Sequence, residues 1–241
     1  MDPNLALERT EALAGRPPLE VAVAWLRRLL LPLLALAVLL SASVHAWDPE
    51  RIVRAAQRYG PGTVAAARQL QQAMAAVVGK DVHLQLQAVN DFYNQHIAYR
   101  EDIDLWGQVD YWASPLESLD KGAGDCEDYA IAKYMTLVAL GMPHANLRMV
   151  YVRASLPAGG AVVPHMVLAW YASPDAEPLV LDNLATEIRR ASERPDLSPV
   201  FSFNADGLWQ GVGGIRANGD PQTRLSRWRD VLQKSRQDGF Q

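Results

Sequence analysis

Residues 122–134 read GAGDCEDYAIAKY, and the reading of the whole chain turns on them. They hold the only cysteine of the sequence, Cys126, set among Asp125, Glu127 and Asp128. Acidic neighbours oppose the thiolate, which is the reactive form of cysteine. Ala130, Ile131, Tyr134, Leu137 and Val138 follow at helical spacing. The spacing predicts a helix that starts at Asp125 as N-cap, with Asp128 completing a capping box in which Asp replaces Glu. Gly141 stops this helix and Pro143 follows. Cys126 then falls in the first turn, where unpaired backbone N–H groups and the dipole favour an anion. The helix start lowers the pKa of the thiol and the carboxylates raise it.

Upstream, Val82, Leu86, Val89, Tyr93 and Ile97 mark one apolar helical face. Trp47 to Tyr59 reads as a helix with Asp48 as N-cap, Pro49 at N1 and Gly60 as stop. Thr63 to Val78 is rich in Ala and Gln and is also expected to be helical. Residues 99–124, YREDIDLWGQVDYWASPLESLDKGAG, have no sustained period and read as a long ordered loop. Downstream the period becomes two: LRMVYVRA (147–154), HMVLAWYA (165–172) and LVLDNL (179–184) read as strands. Gly159-Gly160 and residues 173–175 mark turns, VFSFN adds a strand, and Thr223 to Arg236 reads as a polar helix. Helices followed by strands give an α+β fold, N-terminal helices packed on an antiparallel sheet.

The first 46 residues do not read as part of that fold. Arg27 and Arg28 precede an apolar run, Leu29 to Leu40, and SASVHA follows with small residues at Val44 and Ala46. This is the pattern of an export signal, with cleavage expected after Ala46 or, second, after Ser43. The run is shorter than the ~20 apolar residues of a spanning helix. Residues 47–241 then form one domain. A net charge of −4 gives no sign of nucleic-acid binding. One cysteine allows no internal disulfide, so the thiol is buried and inert, partner-seeking or reactive.

A reactive thiol needs a base. His83 and His96 lie on polar helix positions and His144 in a turn, whereas His165 opens a core strand. Asp182 ends the next strand, so in an antiparallel pair the two can be neighbours, the acid fixing the imidazole tautomer. Neither CxxC nor HExxH is present, which argues against zinc.

WGQVDYWASPLESLDKGAGDCEDYAIAKY, with VNDFYNQHIAY before it and HMVLAW and LVLDNL after, resembles the bacterial transglutaminase-like cysteine proteinases, the periplasmic LapG-type proteases. The resemblance implies a papain/transglutaminase-like fold with Cys126 as nucleophile, His165 as base and Asp182 as orienting acid. It also implies calcium beside the nucleophile, held by Asp125, Glu127 and Asp128, although the spacing is not that of an EF-hand loop. The implied substrate is a large surface adhesin, cut near a di-alanine in its N-terminal region, with release of the adhesin and biofilm dispersal. The implied regulator is an inner-membrane cyclic-di-GMP receptor that sequesters the protease, and the implied location is the periplasm. Trp106, Tyr111 and Trp112 are candidate walls of a narrow cleft, or ordinary core aromatics. Transglutaminase or amidase chemistry on the same residues, or a catalytically silent calcium-dependent binding module, are the alternatives.

Overall fold

The computed structural model describes residues 48–156, 160–213 and 220–240. The expected export segment 1–46, with its cleavage position, lies outside the described residues, as do Trp47 and Gly159. Among the described residues no helix is long and apolar enough to cross a membrane.

Three helices come first: α1 (Pro49–Ala56), α2 (Pro61–Ala75) and α3 (Val82–His96). The carboxylate of Asp48 caps α1 by accepting from the Arg51 N–H at 3.1 Å, and Asp81 caps α3 through the His83 N–H at 2.8 Å. Pro at N1 of α1 and α2 costs nothing, because a helix has no internal partner for that N–H.

The expected loop over 99–124 is corrected. It holds α4 (Asp102–Trp106) and α5 (Pro115–Lys121), too short to display a period. The signal for α5 was local: the side chain of Ser114 accepts from the Glu117 N–H while that of Glu117 accepts from the Ser114 N–H, a full capping box with Pro115 at N1. Around these helices β1 (Ala98–Tyr99) runs parallel to β2 (Ala123–Gly124). The Ala98 N–H donates to the Gly122 carbonyl at 2.9 Å, and the Arg100 N–H to the Gly124 carbonyl at 3.0 Å. This bridge folds the segment back so that its start lies beside its end.

The central helix is α6 (Cys126–Ala139). From Asp128 to Leu137 every residue is buried, so this helix is surrounded by protein rather than amphipathic. It ends in a Schellman motif: the Met142 N–H reaches the Leu137 carbonyl at 3.0 Å and the Gly141 N–H the Val138 carbonyl at 2.9 Å, with Gly141 at φ +96°. At the other end the expected capping box is incomplete. Asp125 stands at N-cap with no side-chain capping bond, and Asp128 Oδ1 accepts from the Ala113 N–H at 2.8 Å. The aspartate at N3 is one methylene shorter than the usual glutamate, and it is used by the loop packed above it.

Six antiparallel strands follow: β3 (Leu147–Ser155), β4 (Val162–Trp170), β5 (Leu179–Leu181), β6 (Arg189–Arg190), β7 (Leu197–Phe203) and β8 (Leu208–Gln210). Their order in the sheet is β6-β5-β4-β3-β7-β8. Alternation sorts their side chains by face. Met149, Met166, Leu168, Leu181 and Phe203 join the helical core, while Val150, Val152, Val167, Ala169 and Val180 form a second, smaller cluster. The expected C-terminal helix is two, α7 (Pro221–Arg224) and α8 (Ser226–Gln237), because Leu225 between them leaves helical geometry. Trp228, Val231 and Leu232 of α8 are buried in the helical core. The fold is the α+β arrangement that the sequence predicts.

Candidate active site

Cys126 occupies N1 of α6 and is half-buried. Strand β5 pairs with β4 only along Leu168–Trp170, so the start of β4 keeps an open edge on that side. The N-terminus of α6 approaches it there, and the Met166 backbone N–H is directed to the Cys126 sulfur. Met166 directly follows His165 in β4. The thiol itself donates to Glu127 Oε2 at 3.2 Å. Burial, then the charge of Glu127, that hydrogen bond and Asp125, push the thiol pKa well above its ordinary value, and the Met166 N–H opposes them only in part. Burial, reinforced by the acids, therefore disfavours the thiolate.

His165 Nε2 lies 2.8 Å from Asp182 Oδ1. Extending the β4–β5 register by one step sets Asp182 opposite Val167, and its carboxylate meets the side chain two residues further along, a diagonal pair on one face. Oδ1 of Asp182 also accepts from the backbone N–H groups of Asn183 (2.7 Å) and Leu184 (3.1 Å). Burial alone would raise the pKa of Asp182. The bond to His165, the charge of His165, the bond to Arg194 and the Leu184 N–H together outweigh it and bring it down to about 2. The carbonyl of Asp182 is held as well, by Asn94 Nδ2 and by Lys133 Nζ, each at 3.0 Å. Lys133 is fully buried on α6, and burial lowers its pKa to about 7. The other described histidines are engaged elsewhere: His96 with the Phe92 carbonyl (2.8 Å), His144 with the Tyr134 hydroxyl (2.7 Å), and His83 edge-on to Trp170.

The acids around Cys126 form a larger cluster than the three the sequence nominates. One oxygen each from Asp102, Asp125 and Asp128 lie within 4.8 Å of one another, and so do single oxygens from Asp102, Asp110 and Glu127. Asp102 and Asp110 were missed, because they sit in the segment read as a loop and the β1–β2 bridge brings them in. Asp102 is 2% exposed and accepts from the Tyr111 N–H. Burial raises the pKa of Asp102, Asp125, Glu127 and Asp128 alike, and at Asp125 the neighbouring Glu127 adds to the rise. Among the described residues no Lys or Arg forms a salt bridge with any of these four. Asp102 Oδ1, Asp125 Oδ1 and Asp128 Oδ2 are buried without a hydrogen-bond partner. Buried carboxylate oxygens left so are costly unless protonated or bound to a cation. Asp110, at the edge of the cluster, pairs with Arg227 at 3.2 Å; the inner oxygens, with no base paired to them, suit a divalent cation that prefers oxygen ligands.

Gly124 locks this arrangement. A Cβ there would lie 2.7 Å from Asp128 Oδ2 and 2.8 Å from Asp128 Cβ. Gly124→Ala must displace Asp128 from the cluster. We expect it to lower stability by about 1–3 kcal/mol and to weaken cation binding, read by thermal melting and a calcium titration. Unchanged binding would detach Asp128 from the cation site.

Of the candidate cleft walls, Trp106 packs on Tyr111 (centroids 4.4 Å) in the loop that carries Asp102 and Asp110. Trp112 instead stacks on Phe203 at 5.8 Å, against the core, with Nε1 donating to Asp110 Oδ1.

A helix-borne thiol against a sheet that carries a His–Asp pair defines the papain/transglutaminase-like class. The chain belongs to the bacterial transglutaminase-like cysteine proteinase family (BTLCP), whose model matches residues 62–196. It is similar to LapG of Legionella pneumophila. The calcium-bound structure of that protein is 39% identical with a TM-score of 0.67, over 78% of this chain and 98% of that one. The EGTA-treated structure is 41% identical with a TM-score of 0.67, over 78% and 97%. A comparison with curated proteins finds no match.

Proposed function

We propose that the protein is a calcium-dependent cysteine endopeptidase in which Cys126, His165 and Asp182 act together. The observation that supports this is the buried His165–Asp182 pair at 2.8 Å on the strand whose Met166 N–H is directed to the thiol on the first turn of α6. With Nε2–H donating to Asp182, Nδ1 of the neutral imidazole is the free base. It accepts the Cys126 proton as Sγ bonds to the scissile carbonyl carbon. The Cys126 backbone N–H, in the first turn of the helix, would donate to the oxyanion. His165 then passes that proton to the amine as the C–N bond breaks, leaving a thioester. Water, losing a proton to Nδ1, attacks the thioester; the S–C bond breaks and the thiol is restored. Asp182 keeps the imidazole in the tautomer that both steps need.

Asp125, Glu127 and Asp128, joined by Asp102 and Asp110, would hold calcium; bound there it supplies positive charge that relieves the repulsion between the carboxylates and a Cys126 thiolate. Support comes from the unpartnered carboxylate oxygens and from the likeness to a protein solved both calcium-bound and EGTA-treated.

By the same likeness we propose a large surface adhesin as substrate, cut near a di-alanine site with release of the adhesin and biofilm dispersal. An inner-membrane cyclic-di-GMP receptor is the sequestering regulator, and the periplasm the place of action after export. The test is incubation of the purified protein with adhesin N-terminal fragments, with calcium and with chelator. Cutting confined to the calcium arm is expected, and no cutting in either arm would overturn the substrate.

His165→Ala and Asp182→Asn are each expected to lower kcat at least about 10²-fold, the histidine at least as much as the aspartate, because one moves the proton and the other orients. Groups that act as a unit do not add. A double variant whose loss equals the product of the single losses would show that they work separately.

A further inference from the structure

We propose that Arg194 is a positioning residue for this reaction: its buried guanidinium clamps the second oxygen of Asp182 and fixes that carboxylate as the charged acceptor for His165. The inference rests on the role given to Asp182 above, and extends it to a residue that no motif marked.

The side chain of Asp182 is completely buried. Its Oδ1 serves His165 and two backbone amides. Its Oδ2 accepts from Arg194 Nη2 at 2.7 Å. Arg194 is itself gripped from the other side by a fork: Nε to Asp196 Oδ1 at 2.9 Å and Nη2 to Asp196 Oδ2 at 2.7 Å. The side chain of Arg194 is 3% exposed and that of Asp196 is 37% exposed. Charge thus alternates inward from the surface: Asp196, Arg194, Asp182, then the imidazole. The charged and titratable groups facing Asp182 are His165 from β4, Lys133 from α6 and Arg194 from the turn after β6. Asp91 of α3 stands behind Lys133, and Asp196 behind Arg194. Lys133 bonds to Asn90 Oδ1 and, on Asp182, to the carbonyl alone, so Arg194 is the cation on the carboxylate itself.

Two consequences follow from removing it. The carboxylate is then held on Oδ1 alone, by His165 and two backbone amides, and its second oxygen loses its fixed partner. It also loses one of the partners that keep it ionised, while the effect of burial, which favours the protonated form, remains. A protonated Asp182 cannot support the imidazolium. Activity at low pH should therefore fail sooner, and the acidic limb of kcat/KM should move to higher pH.

Arg194 also borders the small apolar cluster on the second face of the sheet, with Val152, Val167, Val180 and Leu197 around it. A methionine is compatible with that lining. The experiment is Arg194→Met, Arg194→Lys, Asp196→Asn and, as control, Asp182→Asn, each measured for folding by thermal melting and for kcat, KM and the pH profile on the cleavable fragment. In Arg194→Met we expect kcat down about tenfold or more, KM nearly unchanged, and the acidic limb shifted up. Arg194→Lys should recover part of this, because it keeps the charge but not the fork. Asp196→Asn, nearer the surface, should shift the same limb by less. A merely structural role would lower melting temperature and leave the limb of the folded fraction in place. Folded Arg194→Met with wild-type kcat and an unmoved limb overturns the proposal. If that variant does not fold, unmoved limbs in both Arg194→Lys and Asp196→Asn overturn it, and a shift in either supports it. Wild-type activity in Asp182→Asn would sink the role of Asp182 itself, and Arg194 with it; an impaired Asp182→Asn beside normal Arg194 variants sinks Arg194 alone.

Discussion

Cys126→Ala is expected to cut the adhesin fragment at no detectable rate while folding and binding calcium as the parent does. The thiol is half-buried and makes one weak side-chain bond, to Glu127, so its loss opens no large cavity. Truncation there should change stability by no more than about 1 kcal/mol. The whole effect then lies in chemistry, since no other cysteine exists to replace it. Cys126→Ser should fail as well: burial and the acids that already push the thiol upward would hold a hydroxyl, intrinsically the weaker acid, fully protonated. Turnover near the parent rate in purified Cys126→Ala would remove the residue from the mechanism.

Chelation is expected to be as complete in its effect. Calcium should restore cutting where magnesium does not, because magnesium demands a tighter octahedron and sheds its water reluctantly. Asp125→Ala and Asp102→Ala should resemble the chelated protein with Cys126, His165 and Asp182 untouched. Calcium at 100-fold its Kd adds about 2.7 kcal/mol to stability, which for a domain of this size is on the order of 5–10 °C in Tm. The pH dependence has a definite sign. The pKa values of Asp102, Asp125, Glu127 and Asp128 are raised in the folded, cation-free protein, chiefly by burial. Stability from such groups is fully present below their ordinary values, near 4, and is lost as pH rises through the folded ones. The chelated protein should therefore melt progressively lower as pH climbs from about 4 through neutrality, and calcium, which needs the carboxylates deprotonated, should flatten or reverse that slope. Full activity after exhaustive chelation, with a flat melting profile, would leave the acids as mere surroundings.

The parts of this site legible in the sequence were those fixed by local rules. The start of α6 is written in Asp125 and the apolar spacing after it, and its end in Gly141. The pairing of His165 with Asp182 was anticipated from strand ends, but β4 begins earlier, at Val162, β5 ends at Leu181, and the register places the two diagonally rather than face to face. Asp102, Asp110 and Arg194 were not legible, because each reaches the site by tertiary geometry. A two-residue parallel bridge folds Asp102 and Asp110 against the start of α6, and the chain after β6 turns Arg194 under Asp182. The capping box of α5 was present in Ser114 and Glu117 but overlooked, since that helix is too short to carry a period. The box expected in α6 is incomplete because the Asp125 side chain makes no capping bond, while Asp128 also serves Ala113.

The central claim is that the acids around Cys126 govern its reactivity through a bound cation. The lone cysteine makes this measurable without a substrate, by the rate of alkylation of the intact protein by iodoacetamide at pH 7, followed by mass. Calcium is predicted to speed labelling at least about tenfold over chelator, as expected when a thiolate becomes favourable, and Asp125→Ala is predicted to abolish the difference. Equal rates in calcium and chelator would contradict the account.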